Sequence, residues 1–171
     1  MSRLREHADL EPDAAAGFRF AVVVSRFNGE ITGALLEGAQ QTLRQHGAAS
    51  DAVQVYEVPG AFELPMTAAR LAEGGVDAII CLGALIKGET PHFDYLGASV
   101  AHGICDVAVR SGVPVIFGVL TCEQREHAEA RAGGARGNKG AEAALAAIEM
   151  ADLFASISSG GPDDGRPTSR S

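Results

Sequence analysis

A chain of 171 residues has room for one domain with a core of its own, and not for two of ordinary size. Acidic residues outnumber basic ones 22 to 14, a formal charge of −8, which argues against nucleic acid as a partner. No apolar run approaches the roughly 18 residues of a membrane span, and the N-terminal MSRLREHADLEPD lacks the apolar centre of a secretion signal. A cytoplasmic protein with no membrane partner is therefore expected. Cys81, Cys105 and Cys122 fit that setting. They are far apart, form no CxxC pair, and read as free thiols rather than disulfides or zinc ligands.

Residues 1–16 are charged and then Ala-rich, and read as a flexible N-terminal arm. Residues 157–171 (ISSGGPDDGRPTSRS) hold almost nothing apolar and read as a disordered tail, which leaves 17–156 for the folded domain. Phe18 to Val24 is a β-branched run without helical period, suited to a buried strand. Ile31, Leu35, Leu36, Ala39 and Leu43 recur at helical spacing, and Gly47 is placed to end that helix. Ala52 to Val58 predicts a second strand closed by Pro59-Gly60, and Glu63 to Ala72 a helix that tolerates Pro65 in its first turn. A third strand is predicted over Ala78 to Leu82. Thr90 as N-cap and Pro91 behind it open a long helix through Arg110. Pro114 to Leu120 predicts a fourth strand. Glu123 to Ala132 and Asn138 to Phe154 predict two last helices, parted by the glycine cluster GGARG.

Four strand-then-helix units with short connections predict an α/β fold with a four-stranded parallel sheet and helices on both faces. Open sheets of this kind bind ligands beyond the carboxyl ends of their strands, which directs attention to four segments. In GALIKGETPHFDY, glycines let the backbone approach a ligand and the loop ends on a helix N-terminus, where free N–H groups favour an anion. His92 begins that helix as a proton donor and acceptor, or simply as a packing residue. In SRFN, Phe27 can stack on a planar ring and Asn28 pair with its edge, or Phe27 can pack down on the sheet. In VPGAFELP, Glu63 can accept from sugar-like hydroxyls or merely complement a helix dipole. In RAGGARGNKG the spacing fails for a P-loop and the segment follows a helix, not a strand. Arg131 or Arg136 can still clamp a phosphate, or remain a solvated side chain. His7, His46, His102 and His127 read as surface or packing residues.

In this order and spacing, VVVSRFN, VPGAFELP, GALIKGETPHFDY and RAGGARGNKGAEAALAAIEMADL closely resemble the lumazine synthase family, over residues 17 to 155. The resemblance implies a three-layer α/β/α, flavodoxin-like fold. It also implies a transferase at the penultimate step of riboflavin biosynthesis. That reaction condenses 5-amino-6-(D-ribitylamino)uracil with 3,4-dihydroxy-2-butanone 4-phosphate to 6,7-dimethyl-8-ribityllumazine, without metal or organic cofactor. Carried onto this chain, it makes Phe27 the ring that stacks on the pyrimidine. Ala61, Phe62 and Glu63 hold the ribityl chain, while Ala84, Leu85 and Ile86 line the uracil. Glu89, Thr90 and Arg131 receive the phosphate, and His92 and Arg131 are the catalytic pair. Phe117 closes the pocket from an adjacent subunit, and Lys139 sits beside the uracil. The implied partners are small-molecule substrates, further copies of the chain in a homopentamer or an assembly of pentamers, and riboflavin synthase as a candidate. A non-catalytic flavin- or lumazine-binding protein on the same fold is the alternative; retention of both His92 and Arg131 favours the enzyme.

Overall fold

Strand β1 (Phe20–Ser25, FAVVVS) is buried along its whole length, as a β-branched run with no polar face requires. It lies between β2 (Val53–Val58) and β3 (Ala78–Ile86), and β4 (Val115–Cys122) completes the sheet beyond β3. All three pairings are parallel, in the order β2-β1-β3-β4. The computed structural model describes residues 10–160. Residues 1–9 and 161–171, which carry much of the expected arm and tail, lie outside the described residues.

Helices cover both faces, giving the expected three layers. α1 (Gly29–Gln45) and α5 (Lys139–Ser158) pack Leu35, Ala39, Leu43, Ala144 and Ile148 against Phe20, Val22, Ile80 and Leu82. α2 (Leu64–Ala72) and α3 (His92–Ser111) pack Leu64, Ala68, Val100 and Ile104 against Ala21, Val23, Ile79 and Cys81. The alternation along β1 is thus a sorting between two separate cores, each side chain going to one face. No helix among the described residues is long and apolar enough to cross a membrane.

Element ends differ from expectation in instructive places. β3 continues four residues beyond Leu82, because β4 pairs with it as far as Ile86 and satisfies its backbone groups. Gly83 therefore lies inside a strand rather than in a turn, and a Cβ there would press on Leu64 at 3.2 Å. Pro91 rather than Thr90 is the N-cap of α3; its carbonyl accepts from Asp94 N–H at 3.1 Å, and no side chain among the described residues caps the helix. The glycine cluster is a hairpin, β5 (Ala132–Gly134) with β6 (Gly137–Asn138), and not a plain loop. It follows a short α4 (Arg125–Ala130), whose Arg125 pairs with Glu30 of α1 and with Glu129. Gly47, at φ +87°, takes the left-handed turn expected after α1. Residues 10–16 form turns against the α1 side, with Ala15 fully buried and its N–H donated to the His46 carbonyl at 2.8 Å.

Candidate active site

The strand order decides where a ligand can enter. The chain leaves β1 toward β2 and then returns past β1 to β3, so the loops after β1 and β3 diverge above a crevice. Three short contacts shape its rim. Arg26 N–H donates to the Val58 carbonyl at 2.8 Å and Phe27 N–H to the Pro59 carbonyl at 3.2 Å, tying the end of β1 to the end of β2. Asn28, left-handed at φ 58°, donates its side-chain amide to the Ala84 carbonyl at 2.8 Å. That bond ties the start of α1 to β3 and leaves Phe27 projecting, 69% exposed. One Asn28 N–H is thus committed to the fold, and its second N–H and Oδ1 are not.

Inside the rim is a cavity of about 820 Å³, of the size that takes a small organic ligand. Phe27 stands on one side with Ala61, Phe62 and Glu63 beside it. Ala84, Leu85 and Ile86 form the floor, and Thr90 and His92 close the far wall. Nine of the expected site residues, from three of the four segments, therefore face one space. Glu63 Oε2 accepts from Gly60 N–H at 2.8 Å, and Oε1 has no hydrogen-bond partner among the described residues. Gly60 suits this role, since a Cβ there would meet that same oxygen at 3.1 Å. The bond to Gly60 gives Glu63 a role in fixing the backbone at the start of the helix. The N–H groups of Gly88, Glu89 and Thr90 find no acceptor among the described residues, which leaves them free for an anion at the mouth of α3.

Four expected residues lie elsewhere in the same chain. Glu89 is exposed on the loop and its side chain is not part of the cavity wall. Phe117 stands mid-way along the edge strand β4, 38% exposed and away from the cavity of its own chain. Arg131 and Lys139 line a second cleft, of about 450 Å³, beyond the carboxyl end of β4. Arg131 is the C-cap of α4 and donates a guanidinium N–H to the His127 carbonyl at 3.0 Å. Lys139, first residue of α5, is paired with Glu142 at 2.7 Å. At the floor of that cleft, burial pushes the Cys122 thiol up and the Arg131 charge pulls it partly back. Among the described residues, the larger cavity has no lysine or arginine in its lining and the smaller one has three.

Sequence reasoning missed Tyr95, Leu96 and Ser99, which continue the cavity wall along α3. The signal was available: counted from His92 they fall at three, four and seven residues, one face of a helix.

The model of the family described as 6,7-dimethyl-8-ribityllumazine synthase matches residues 17–155. The chain belongs to that family. The lumazine synthase family is one of transferases in riboflavin biosynthesis, and the match runs from just before β1 to near the end of α5, so both crevices lie within it.

Proposed function

We propose that this chain condenses 5-amino-6-(D-ribitylamino)uracil with 3,4-dihydroxy-2-butanone 4-phosphate. The products are 6,7-dimethyl-8-ribityllumazine, phosphate and two molecules of water. The observation that carries this reading is the single cavity shared by Phe27, Glu63, the Ala84–Ile86 strand end, Thr90 and His92. The Phe27 ring stacks on the flat pyrimidine, an arrangement suited to an exposed aromatic beside an apolar floor. Glu63 Oε1 accepts from ribityl hydroxyls. The loop N–H groups before α3 take the phosphate, and His92 moves protons during imine formation, tautomerisation and ring closure. Phosphate leaves readily, so the site needs orientation more than a strong acid. Holding two reactants in attack geometry supplies up to roughly 7–11 kcal/mol, whereas a positioned imidazole supplies about 10²–10⁴-fold.

A phosphate substrate in a cavity lined by no lysine or arginine among the described residues is short of counter-charge. Arg131, Lys139 and Phe117 lie too far round the same subunit to help, and we infer that an adjoining copy presents them, as in a homopentamer. Active sites are then completed between subunits.

The test is to mix purified protein with both substrates and follow the fluorescence of the lumazine. Turnover well above the background reaction supports the reading; product formed only at the background rate overturns it. Mixing the impaired His92→Ala variant with the impaired Arg131→Ala variant, after dissociation and reassembly, raises activity above that of either variant alone if sites are shared. No recovery in mixed assemblies overturns the shared site.

A further inference from the structure

The second cleft carries more positive charge than the reaction above assigns to it. Its charged lining consists of Arg131, Arg136, Lys139, His127, Glu123 and Glu142. Each carboxylate already has a lysine: Glu142 pairs with Lys139 at 2.7 Å and Glu123 with Lys87 at 3.2 Å. Neither Arg131 nor Arg136 has a carboxylate partner among the described residues. Two uncompensated guanidiniums thus share one small cleft on a chain whose formal charge is −8. Like charges held together repel, and an anion between them turns that repulsion into attraction.

The backbone holds Arg136 in this position. Gly134 pairs with Gly137 across the β5–β6 hairpin, which makes Ala135 and Arg136 its two turn residues. Arg136 N–H donates to the Ala130 carbonyl at 2.8 Å. Gly137 sits at φ +79°, and a Cβ on Gly134 would lie 2.8 Å from the Ala130 backbone, so both glycines are required for the turn to lie this close to α4. Arg131 caps that same helix end. Both guanidiniums therefore spring from one fixed piece of backbone, which lowers the ordering entropy lost when they close on a ligand.

We propose that Arg136 is a second phosphate-binding residue, sharing with Arg131 the phosphate of the four-carbon substrate and the inorganic phosphate left after elimination. The proposal rests on the functional reading above and adds a residue to it. Two planar forks match a dianion with three terminal oxygens better than they match a carboxylate.

Inorganic phosphate is titrated into the assembled protein by calorimetry, and KM is measured separately for each substrate, for wild type, Arg136→Gln and Arg136→Lys. The Gln variant is expected to weaken phosphate binding at least about tenfold, the low end for hydrogen bonds to a charged group. KM for the phosphate substrate should rise in step, with KM for the uracil and kcat little changed, and Lys should restore part of the loss. Wild-type phosphate affinity in Arg136→Gln overturns the proposal. So does an equal loss in both variants accompanied by altered sedimentation, which assigns the residue to the hairpin's structure. The titration needs no turnover. A protein that binds phosphate through Arg136 yet makes no lumazine therefore refutes the reaction and leaves the anion site standing.

Discussion

The two faces of the sheet are packed to different standards. On the α1/α5 side the helices cross at backbone contact: a Cβ on Gly140 would overlap the Leu35 carbonyl, and Ala39, Ala143, Ala144 and Ala147 fill the seam. On the α2/α3 side only Val100 and Ile104 of α3 are fully buried, Tyr95 and Val109 are open, and the large cavity lies at the helix's N-terminal end. The closed face holds the strands in register and the open one exploits the strand ends. Rigidity is concentrated in the α1/α5 seam, whereas the candidate site residues stand at the carboxyl ends of the strands, the large cavity on the open side and the smaller cleft beside α5, so substitutions should separate into those that unfold and those that only disarm.

The harshest challenge to that division is Gly140→Ala. The clash is with main chain that cannot rotate away, so a loss beyond about 4 kcal/mol is expected, seen as a collapse of soluble yield and of far-UV ellipticity. Normal folding of this variant would show that α1 and α5 can part freely. Next come the chemical residues, which should leave the melting midpoint untouched. Arg131→Ala is expected to lower kcat/KM more than His92→Ala, and His92→Ala to slow turnover within the 10²–10⁴-fold of a lost proton carrier without abolishing it. Steady-state kinetics with an unimpaired Arg131 variant would reverse that ranking.

Asn138 tests the closed face more gently. Its Oδ1 accepts from Gly140 and Ala141 N–H at 2.8 and 3.2 Å, and its Nδ2 donates to the Ala34 carbonyl at 2.9 Å. Asn138→Ala strips the cap of α5 and its link to α1, and should lower the urea-derived stability by about 1–3 kcal/mol. Under the open face, Ser25 Oγ is buried without a hydrogen-bond partner among the described residues, beside Gly83 at the end of β1. Ser25→Ala should gain about 1 kcal/mol in the same urea titration, while a loss would show that the hydroxyl is satisfied in solution. Smallest at neutral pH is the effect of Cys81, whose thiol burial pushes from 9.0 to about 12. Above pH 9 the unfolded thiol ionises and the folded one does not, so its contribution is intact below pH 9 and fades toward pH 12. The fall in denaturation midpoint across that range should be shallower in Cys81→Ala than in wild type.

Much of the site was legible because its signals are local. A β-branched run, a Pro-Gly stop and a helix start each mark a strand end, and Phe27, Glu63 and His92 sit just past three of them. The limits of legibility were equally physical. β3 looked finished at Leu82 because Gly83 and Ala84 are weak strand formers, and only pairing with β4 keeps the backbone extended to Ile86. That Asn28 gives one N–H to the Ala84 carbonyl, 56 residues on, could not be read from its own stretch of chain. Arg136 is ambiguous between clamp and solvated side chain in the sequence, and only the structure shows that it shares a cleft with Arg131.

The sequence by itself determined the alternation of strands and helices, the two-faced burial of β1 and the segments that carry chemistry, since each depends on periodicity and on the conformational limits of Gly and Pro. Only the tertiary structure decided which strand ends share a crevice. The order β2-β1-β3-β4 brings Phe27 and His92 to one cavity and puts Arg131 and Lys139 in another. Strand order is chosen by how helices bury their apolar faces across the whole sheet, a sum over distant contacts that no local stretch of residues records.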